Sequence, residues 1–348
     1  MHHDAFDAAA AMIRYLANRL VLSVLLALFA TLVVFLIASV VPGDPVLSML
    51  GDLAASRPEV VAEYRARWGL DLPLWQQYGI FMNRLAHGDL GVSISTGRPV
   101  IEDILQYAPA TIELGTIAFV LSMLIGVPFG MAAAVWRDSW VDHCARFVSL
   151  IGVSSPVFWL AFLALTVFYG WLQIAPGPGR LGPIDFPPDS VTGLYLIDSL
   201  LAGDWEIFRT AVRHLTLPAL VLCAATLGLI TRMTRASMLE ALGQDYIRVA
   251  RAKGLKEHLV IIRHALPNAL IPVITLAGLA YANLLTGTVM TETVFSWPGL
   301  GRYTFRSAAA LDLPAIMGMT LLFAIVYLAI NLLVDLSYAL VDPRVLKR

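Results

Sequence analysis

The chain has 348 residues, of which 58% are hydrophobic and only 14% charged, with a formal net charge of −1. Soluble domains carry about a quarter charged residues, and the deficit here is concentrated in a few segments, as is typical of a membrane protein. A net charge near zero argues against nucleic acid as the main partner. The two cysteines, Cys144 and Cys223, have no metal-binding or redox spacing, which favours two small apolar fillers.

Six uncharged apolar runs are long enough to cross a bilayer, which takes about 20 residues of helix because each backbone polar group must be satisfied internally. In chain order they are Leu20–Val41, Leu114–Trp136, Phe147–Ile174, Leu215–Thr231, Ala269–Thr291 and Pro314–Val334. The loops on the side of the membrane that holds both termini are shorter in total than those on the opposite side, yet they contain more than half of the 24 lysine and arginine residues. The positive-inside rule therefore predicts an all-α protein with six transmembrane helices and both termini in the cytoplasm.

Two short helices are predicted on the outer face, within residues 57–88, because apolar residues recur there at helical spacing in two stripes. The stripes are Val61, Tyr64 and Trp68 before Gly69, and Leu74, Tyr78, Phe81 and Leu85 before Gly88. We expect this pair to cap the outer mouth. An amphipathic pair lying on the membrane interface is the alternative.

The stretch Tyr246–Pro267 is a basic, helix-patterned loop between two apolar runs, on the predicted cytoplasmic side. Its first piece, Tyr246–Lys253, is a short cationic helix ended by Gly254. The second piece places Leu255, Leu259, Ile262 and Leu266 on one apolar helix face. Such a structure could dock on a soluble partner or rest on anionic lipid headgroups, and the composition favours neither.

Two other classes of protein lack support in the residues. The chain has no Gly-x-x-x-x-Gly-Lys phosphate loop and no His-Glu-x-x-His metal motif, so we expect no nucleotide hydrolysis and no membrane enzyme. An ion-coupled secondary transporter would need charged or broken helices at the membrane midplane. The six apolar runs carry no charge.

The spacing of Ala250, Gly254 and Leu266-Pro267 resembles the cytoplasmic coupling loop of binding-protein-dependent ABC importer permeases. Arg248, Val249 and His264 depart from the general family pattern of Glu, Ala and Ile, in the way that the peptide-permease branch does. Further segments resemble the B-type permeases of oligopeptide and dipeptide importers. They are Val41–Pro45, Trp68–Asp71, His87–Gly91, Leu194–Asp198, Arg232–Leu239, Asp245–Leu255, Arg263–Ala269 and Thr291–Gly301.

The resemblance implies a type I ABC importer permease fold in a bacterial inner membrane, with this chain as a non-catalytic half of the pore. It implies a second homologous permease, two ATPase subunits that bind ATP and Mg, and an extracytoplasmic solute-binding protein that delivers dipeptides or short oligopeptides. This chain itself would bind no cofactor. The same architecture could instead import a nickel chelate, glutathione or haem.

The resemblance also assigns the loop to ATPase coupling, through a helix that moves as a rigid body when the ATPases close. The implied coupling residues are Ala250, Arg251, Gly254, Leu255, Leu259, Leu266 and Pro267. Gly254 is expected to let two helices meet closely, and Ala250 to keep the docking surface small.

Glu292 directly follows the fifth apolar run, and Trp297 lies close behind it. At an outer mouth or gate, the Glu292 carboxylate could meet the free amino group of a peptide. The alternative is an interfacial carboxylate beside an aromatic belt residue.

Four regions are predicted. Residues 1–41 form the N-terminal segment and first transmembrane helix, and 42–108 an extracytoplasmic helical region. Residues 109–340 form the five-helix permease core, with the coupling loop at 236–268, and 341–348 a cytoplasmic tail.

Overall fold

A computed structural model describes residues 2–40, positions 59 and 62, and residues 71–341. Within this part of the chain the only strand-like feature is one isolated bridge between Val92 and Pro99. The helices are α1 (His2–Val40), α2 (Leu74–Ala86), α3 (Val100–Val135), α4 (Trp140–Ser154), α5 (Val157–Ala164), α6 (Tyr195–Leu201), α7 (Trp205–Leu242), α8 (Asp245–Ala252), α9 (Glu257–Leu259), α10 (Leu266–Thr286), α11 (Val289–Val294), α12 (Leu300–Ala309) and α13 (Leu313–Val341). A π-helical stretch, Leu165–Trp171, continues α5, and a second, Val260–Ala265, joins α9 to α10.

Five helical segments are long and apolar enough to cross a membrane, and each contains or largely overlaps one of the predicted runs. They are Ala17–Ile37, Val100–Val135, Trp205–Leu242, Glu257–Val294 and Leu313–Val334. The described part of the chain therefore confirms an all-α protein with several candidate membrane spans.

The third predicted run is not one straight helix. α4 and α5 pass the same length and hydropathy test only together, and they are bent by 102° relative to each other. Pro156 begins the second helix and has no backbone N–H to donate, while Ser155 before it has extended backbone angles, φ −87° and ψ 129°. The predicted third run, Phe147–Ile174, is therefore a bent pair of helices, and the candidate spans number up to six among the described residues if that pair counts as one.

The core is built around α3 and α7, which pack along each other through small and medium apolar side chains. Ala110, Leu114 and Ala118 of α3 meet Leu215, Ala219 and Leu222 of α7 in one buried cluster, together with Leu284 and Trp297. Alanine at these positions allows close approach of helix backbones, which is how membrane helices associate without a strong hydrophobic driving force.

The second predicted outer helix is present as α2, and it packs against α1. The ring centroids of Tyr78 and Phe81 lie 5.4 and 6.0 Å from that of Phe35 on α1. The Tyr78 hydroxyl also shares a 2.8 Å hydrogen bond with Thr31. The first predicted stripe, at positions 61, 64 and 68, lies outside the described residues.

Candidate functional site

The basic loop forms a compact projection at the end of α7, which we call the docking knob and define as residues 245–266. Its first helix, α8, ends at Ala252, and Gly254 reverses the chain with φ +75°. That region of backbone conformation strongly favours glycine. A Cβ at Gly254 would have nothing within 4 Å. Within this chain the glycine is therefore needed for the turn itself, and no helix of the described residues meets another closely at Gly254. The expected close meeting of helices stays a prediction for the assembled complex.

The inner face of the docking knob packs on the ends of the neighbouring spans. Ile247 and Ala250 of α8 are buried against Met238 of α7 and against Val260 and Ala265 of the π-helical stretch. Ala250 therefore belongs to the internal packing of the docking knob. Contrary to the expectation, Ala250 does not form part of the outer surface of the docking knob.

The outer face of the docking knob carries exposed apolar side chains, which is costly in water unless a partner covers them. They are Tyr246, Val249, Leu255, Leu259 and Ile262, a set that we call the exposed apolar face. Leu266, predicted to share a face with Leu255, Leu259 and Ile262, is half-buried instead. The π-helical stretch has more residues per turn than an α-helix, so it rotates Leu266 inward.

An ion pair closes the turn of the docking knob from outside. The Arg251 guanidinium donates to both carboxylate oxygens of Glu257, at 2.5 and 3.1 Å, across the reversal at Gly254. This two-point geometry orients α8 relative to the returning helix. Pro267 follows near the start of α10, where a missing N–H is tolerated. Arg251, Gly254 and Pro267 thus shape the docking knob.

Glu292 and Trp297 lie in the interior. The side chain of Glu292 is 0% exposed, and the indole N–H of Trp297 donates a 2.9 Å hydrogen bond to the carbonyl oxygen of Ala110. Neither side chain is presented at an open outer mouth in this conformation. Both fasten the segment that follows α10 to the first half of α3.

A buried ion pair involves Arg180, a residue that the sequence did not single out. An Nη2 of Arg180 lies 2.6 Å from a carboxylate oxygen of Glu113 on α3, with both side chains more than nine-tenths buried. The other oxygen of Glu113 accepts from the backbone N–H of Leu196 at 2.8 Å. The Arg180 guanidinium also stacks 3.4 Å from the ring centroid of Tyr195. These contacts hold residues 175–204, which we call the outer excursion after its predicted side of the membrane, against α3.

Among the described residues, no group of three or more His, Cys, Asp or Glu side chains could hold a metal ion. The charged and exposed apolar side chains that could serve a function lie in two places. One is the docking knob, with a basic and apolar surface, and the other is the set of buried charge contacts that join separate spans.

Comparison with known proteins gives a consistent result. The family model described as "Binding-protein-dependent transport system inner membrane component" matches residues 126–347. The model "Binding-prot-dependent transport system membrane comp, N-term" matches residues 12–115.

Curated relatives match over most of their length. The chain is 48% identical over 313 residues, 90% of this chain and 92% of the relative, to the "Probable D,D-dipeptide transport system permease protein DdpB" of Escherichia coli (strain K12). It is 43% identical over 337 residues, 96% of this chain and 99% of the relative, to the "Dipeptide transport system permease protein DppB" of Alkalihalophilus pseudofirmus. A solved chain from "Inward facing conformations of the MetNI methionine ABC transporter: CY5 native crystal form" is 16% identical, covers 70% of this chain and 97% of its own, and has a TM-score of 0.49.

Proposed function

Because this chain belongs to the family of binding-protein-dependent transport system inner membrane components, we propose that its cargo is a dipeptide or short oligopeptide. The family membership makes it a multi-pass permease component of an ABC importer. The names of the relatives at 43 and 48% identity support the choice of cargo. A nickel chelate, glutathione or haem is the alternative cargo for the same architecture.

The proposal includes a set of partners. A second homologous permease completes the pore, two ATPase subunits bind ATP and Mg, and an extracytoplasmic solute-binding protein delivers the cargo. Both termini are cytoplasmic. The proposal gives this chain no cofactor of its own, and its lack of a phosphate-binding loop supports placing ATP on the partner subunits.

The observation that carries the proposed ATPase partnership is the exposed apolar face of the docking knob. Apolar side chains such as Leu259 and Ile262 stand exposed beside exposed cations, including Arg248 and Arg263. An apolar patch rimmed by charge marks a protein interaction site. Because α7 leads into the docking knob, a soluble ATPase that grips it can tilt the span attached to it.

The bend between α4 and α5 is the kind of discontinuity that ion-coupled transporters place at a binding site. The residues at the break, Ser154–Pro156, carry no charged side chain, and the chain belongs to a family of binding-protein-dependent transport components. ATP as the energy source remains the better-supported function.

The cargo and the energy source are tested together by reconstituting the full complex in vesicles. We expect dipeptides, presented by the binding protein, to stimulate ATP hydrolysis and to accumulate inside. Stimulation by a nickel chelate, glutathione or haem alone would overturn the choice of cargo. Uptake driven by an ion gradient without ATP would overturn the energy source.

The docking surface is tested with Leu259→Glu and Ile262→Glu, which place a charge on the exposed apolar face. We expect each to reduce the amount of ATPase that co-purifies with the permease. Ile184→Glu, at an 86% exposed position of the outer excursion, is the matched control and should have no effect. Full retention of the ATPases by both docking-knob variants would favour a lipid-resting hairpin.

A further inference from the structure

The inner ends of α4 and α7 are joined by a buried ion pair. The carboxylate of Asp142, in the first turn of α4, has 0% exposure. Its two oxygens accept from Nε and Nη2 of Arg235 on α7, at 2.6 and 2.8 Å. The Oδ2 atom also accepts from Arg146 at 2.8 Å and from the backbone N–H of Asp138 at 3.0 Å. Two-point pairing with a planar guanidinium fixes orientation as well as distance.

The same two helices touch backbone to backbone further along. A Cβ built on Gly152 of α4 would lie 2.3 Å from the carbonyl oxygen of Ala224 on α7, and one on Gly228 would lie 2.7 Å from the carbonyl oxygen of Ser149. The contacts advance along α4 as they retreat along α7, so the helices are antiparallel and pack continuously. Approach this close keeps the two helices together inside the membrane.

The helix α7 is also part of the docking knob. Only Gly243 and Gln244 separate its end from α8. Met238 of α7 is fully buried in the cluster that contains Ile247 and Ala250 of α8. Arg235 lies about one turn before Met238. A displacement of the docking knob is therefore a displacement of the helix turn that carries Arg235.

The far end of α4 is the bend at Ser155–Pro156, where the chain turns by 102° into α5. The helix α4 is thus held to α7 along its length, and the chain leaves this pair at one defined bend. If α4 and α7 move together as a rigid body, the break in the helix at Ser155–Pro156 is the place where their displacement relative to α5 is taken up.

We propose that Asp142 is a positioning residue of the transport cycle. Through its pairing with Arg235, α4 moves together with the docking knob. The motion of the docking knob then reaches the bend at Ser155–Pro156. The proposal rests on the function proposed above. Asp142 touches neither cargo nor nucleotide. Its effect is on how much transport each ATP produces.

The experiment uses the complete complex in vesicles, with the binding protein present, and measures both uptake and ATP hydrolysis. For Asp142→Asn we expect normal assembly and uptake per ATP reduced about tenfold, within the usual range of coupling effects. For Arg235→Lys, which keeps the charge but loses the two-point geometry, we expect an intermediate ratio. Arg137→Gln is the control, because Arg137 lies between α3 and α4 and its ion-pair partner among the described residues is the exposed Asp138.

A double variant separates positioning from simple stabilisation. Asp142→Asn with Arg235→Gln removes both buried charges, so we expect thermal stability to recover relative to the worse single variant. Uptake per ATP should stay low, because the two-point connection is still missing. Recovery of uptake per ATP together with stability would show that the pair only stabilises the fold, and would overturn the proposal.

The other outcomes are equally decisive. Unchanged uptake per ATP in an assembled Asp142→Asn complex would overturn the positioning role, and so would loss of assembly in both single variants. Failure of the proposed function is distinguishable from these results. In that case the wild-type complex would show no cargo-stimulated ATP hydrolysis, whereas failure of the positioning role leaves the wild type fully coupled.

Discussion

The hydroxyl of Thr111 on α3 donates a 2.7 Å hydrogen bond to the carboxylate of Glu292, which lies 181 residues later in the chain. The hydroxyl of Thr288 donates to the same oxygen at 2.8 Å, and the backbone N–H of Arg302 donates to the other at 3.0 Å. All three partners donate, so the site fits an acceptor-only carboxylate. The pair joins the end of the candidate span Glu257–Val294 to the first half of α3.

Glu292→Gln should destabilise the protein although the two side chains have nearly the same shape. The amide nitrogen replaces an acceptor oxygen, so a hydrogen bond that Glu292 now accepts must be lost or reversed, and a buried unmade hydrogen bond costs about 1–3 kcal/mol. Thermal unfolding of the purified protein in detergent measures the effect. Glu240→Gln, at an exposed position of α7, is the control and should change stability by less than about 0.5 kcal/mol. Equal unfolding midpoints for the two variants would contradict the buried acceptor role.

The loss of transport caused by substitutions at Gly254 should depend on whether the new residue tolerates the left-handed backbone conformation, and not on the size of its side chain. Asn tolerates the left-handed region, so Gly254→Asn should retain most uptake, while the β-branched Gly254→Val should carry about 1–3 kcal/mol of local strain. ATPase co-purification and uptake by the reconstituted complex are the measurements. If Asn and Val are equally harmful, the cause is side-chain bulk against the docked partner and not the φ of +75°.

The pair formed by Glu113 and Arg180 should show strong coupling between its members. Either Glu113→Gln or Arg180→Met leaves one buried group without its charged partner, which costs about 3–5 kcal/mol. The double variant should be more stable than the worse single variant, because no unpaired charge remains. Thermal unfolding of all four proteins completes the cycle. Losses in the double variant that equal the sum of the singles would mean that the two residues act independently.

Asp198 should make the outer excursion sensitive to acid. Burial alone would raise the pKa of Asp198, but hydrogen bonds from the Thr192 side chain and from the backbone N–H groups of Thr192 and Gly193 outweigh it and hold the pKa below its usual range. A depressed pKa contributes stability above the unfolded value of about 3.9, and the contribution is lost as pH falls through the folded pKa.

Hydrogen exchange at the amides of Thr192 and Gly193 measures this effect directly. We expect protection at neutral pH that decreases in acid, after correction for the intrinsic exchange rate. Asp198→Asn should show reduced protection at neutral pH and little further change on acidification. A wild-type protein that keeps the same protection below the folded pKa would contradict the assignment.

The cysteines offer a test of the proposed topology without any substitution. Cys144 is exposed near the start of α4, at the end that we place in the cytoplasm, and Cys223 is buried in α7. A membrane-impermeant maleimide should therefore label one site in inverted vesicles and none in right-side-out vesicles. Cys144→Ser should abolish the labelling. Labelling of Cys144 in right-side-out vesicles would reverse the orientation proposed for the termini.

Local patterns predicted the spans well, because length and absence of charge are properties of a single segment. The docking knob was predictable for the same reason, since Gly254 and the basic helix before it are adjacent in sequence. The orientation of Leu266 was not, because the π-helical stretch Val260–Ala265 rotates the helix face and leaves no mark in the apolar spacing. Pro156 is the local signal for the bend between α4 and α5.

The buried charge contacts could not be predicted from the sequence. The partners of Glu292 and Glu113 lie 181 and 67 residues away, and only the packed fold brings them together. Trp297 was predicted at an aromatic belt or outer mouth because its position follows an apolar run. In the structure its ring fills space between α3 and α7, and its indole N–H finds the Ala110 carbonyl.

The Glu113–Arg180 pair has a consequence for how the chain is made. Arg180 leaves the ribosome 67 residues after Glu113, a delay of about 3–13 s at synthesis rates of 5–20 residues per second. During that interval the acid on α3 has no guanidinium partner, so the early helices can reach their final arrangement only once the outer excursion has been translated.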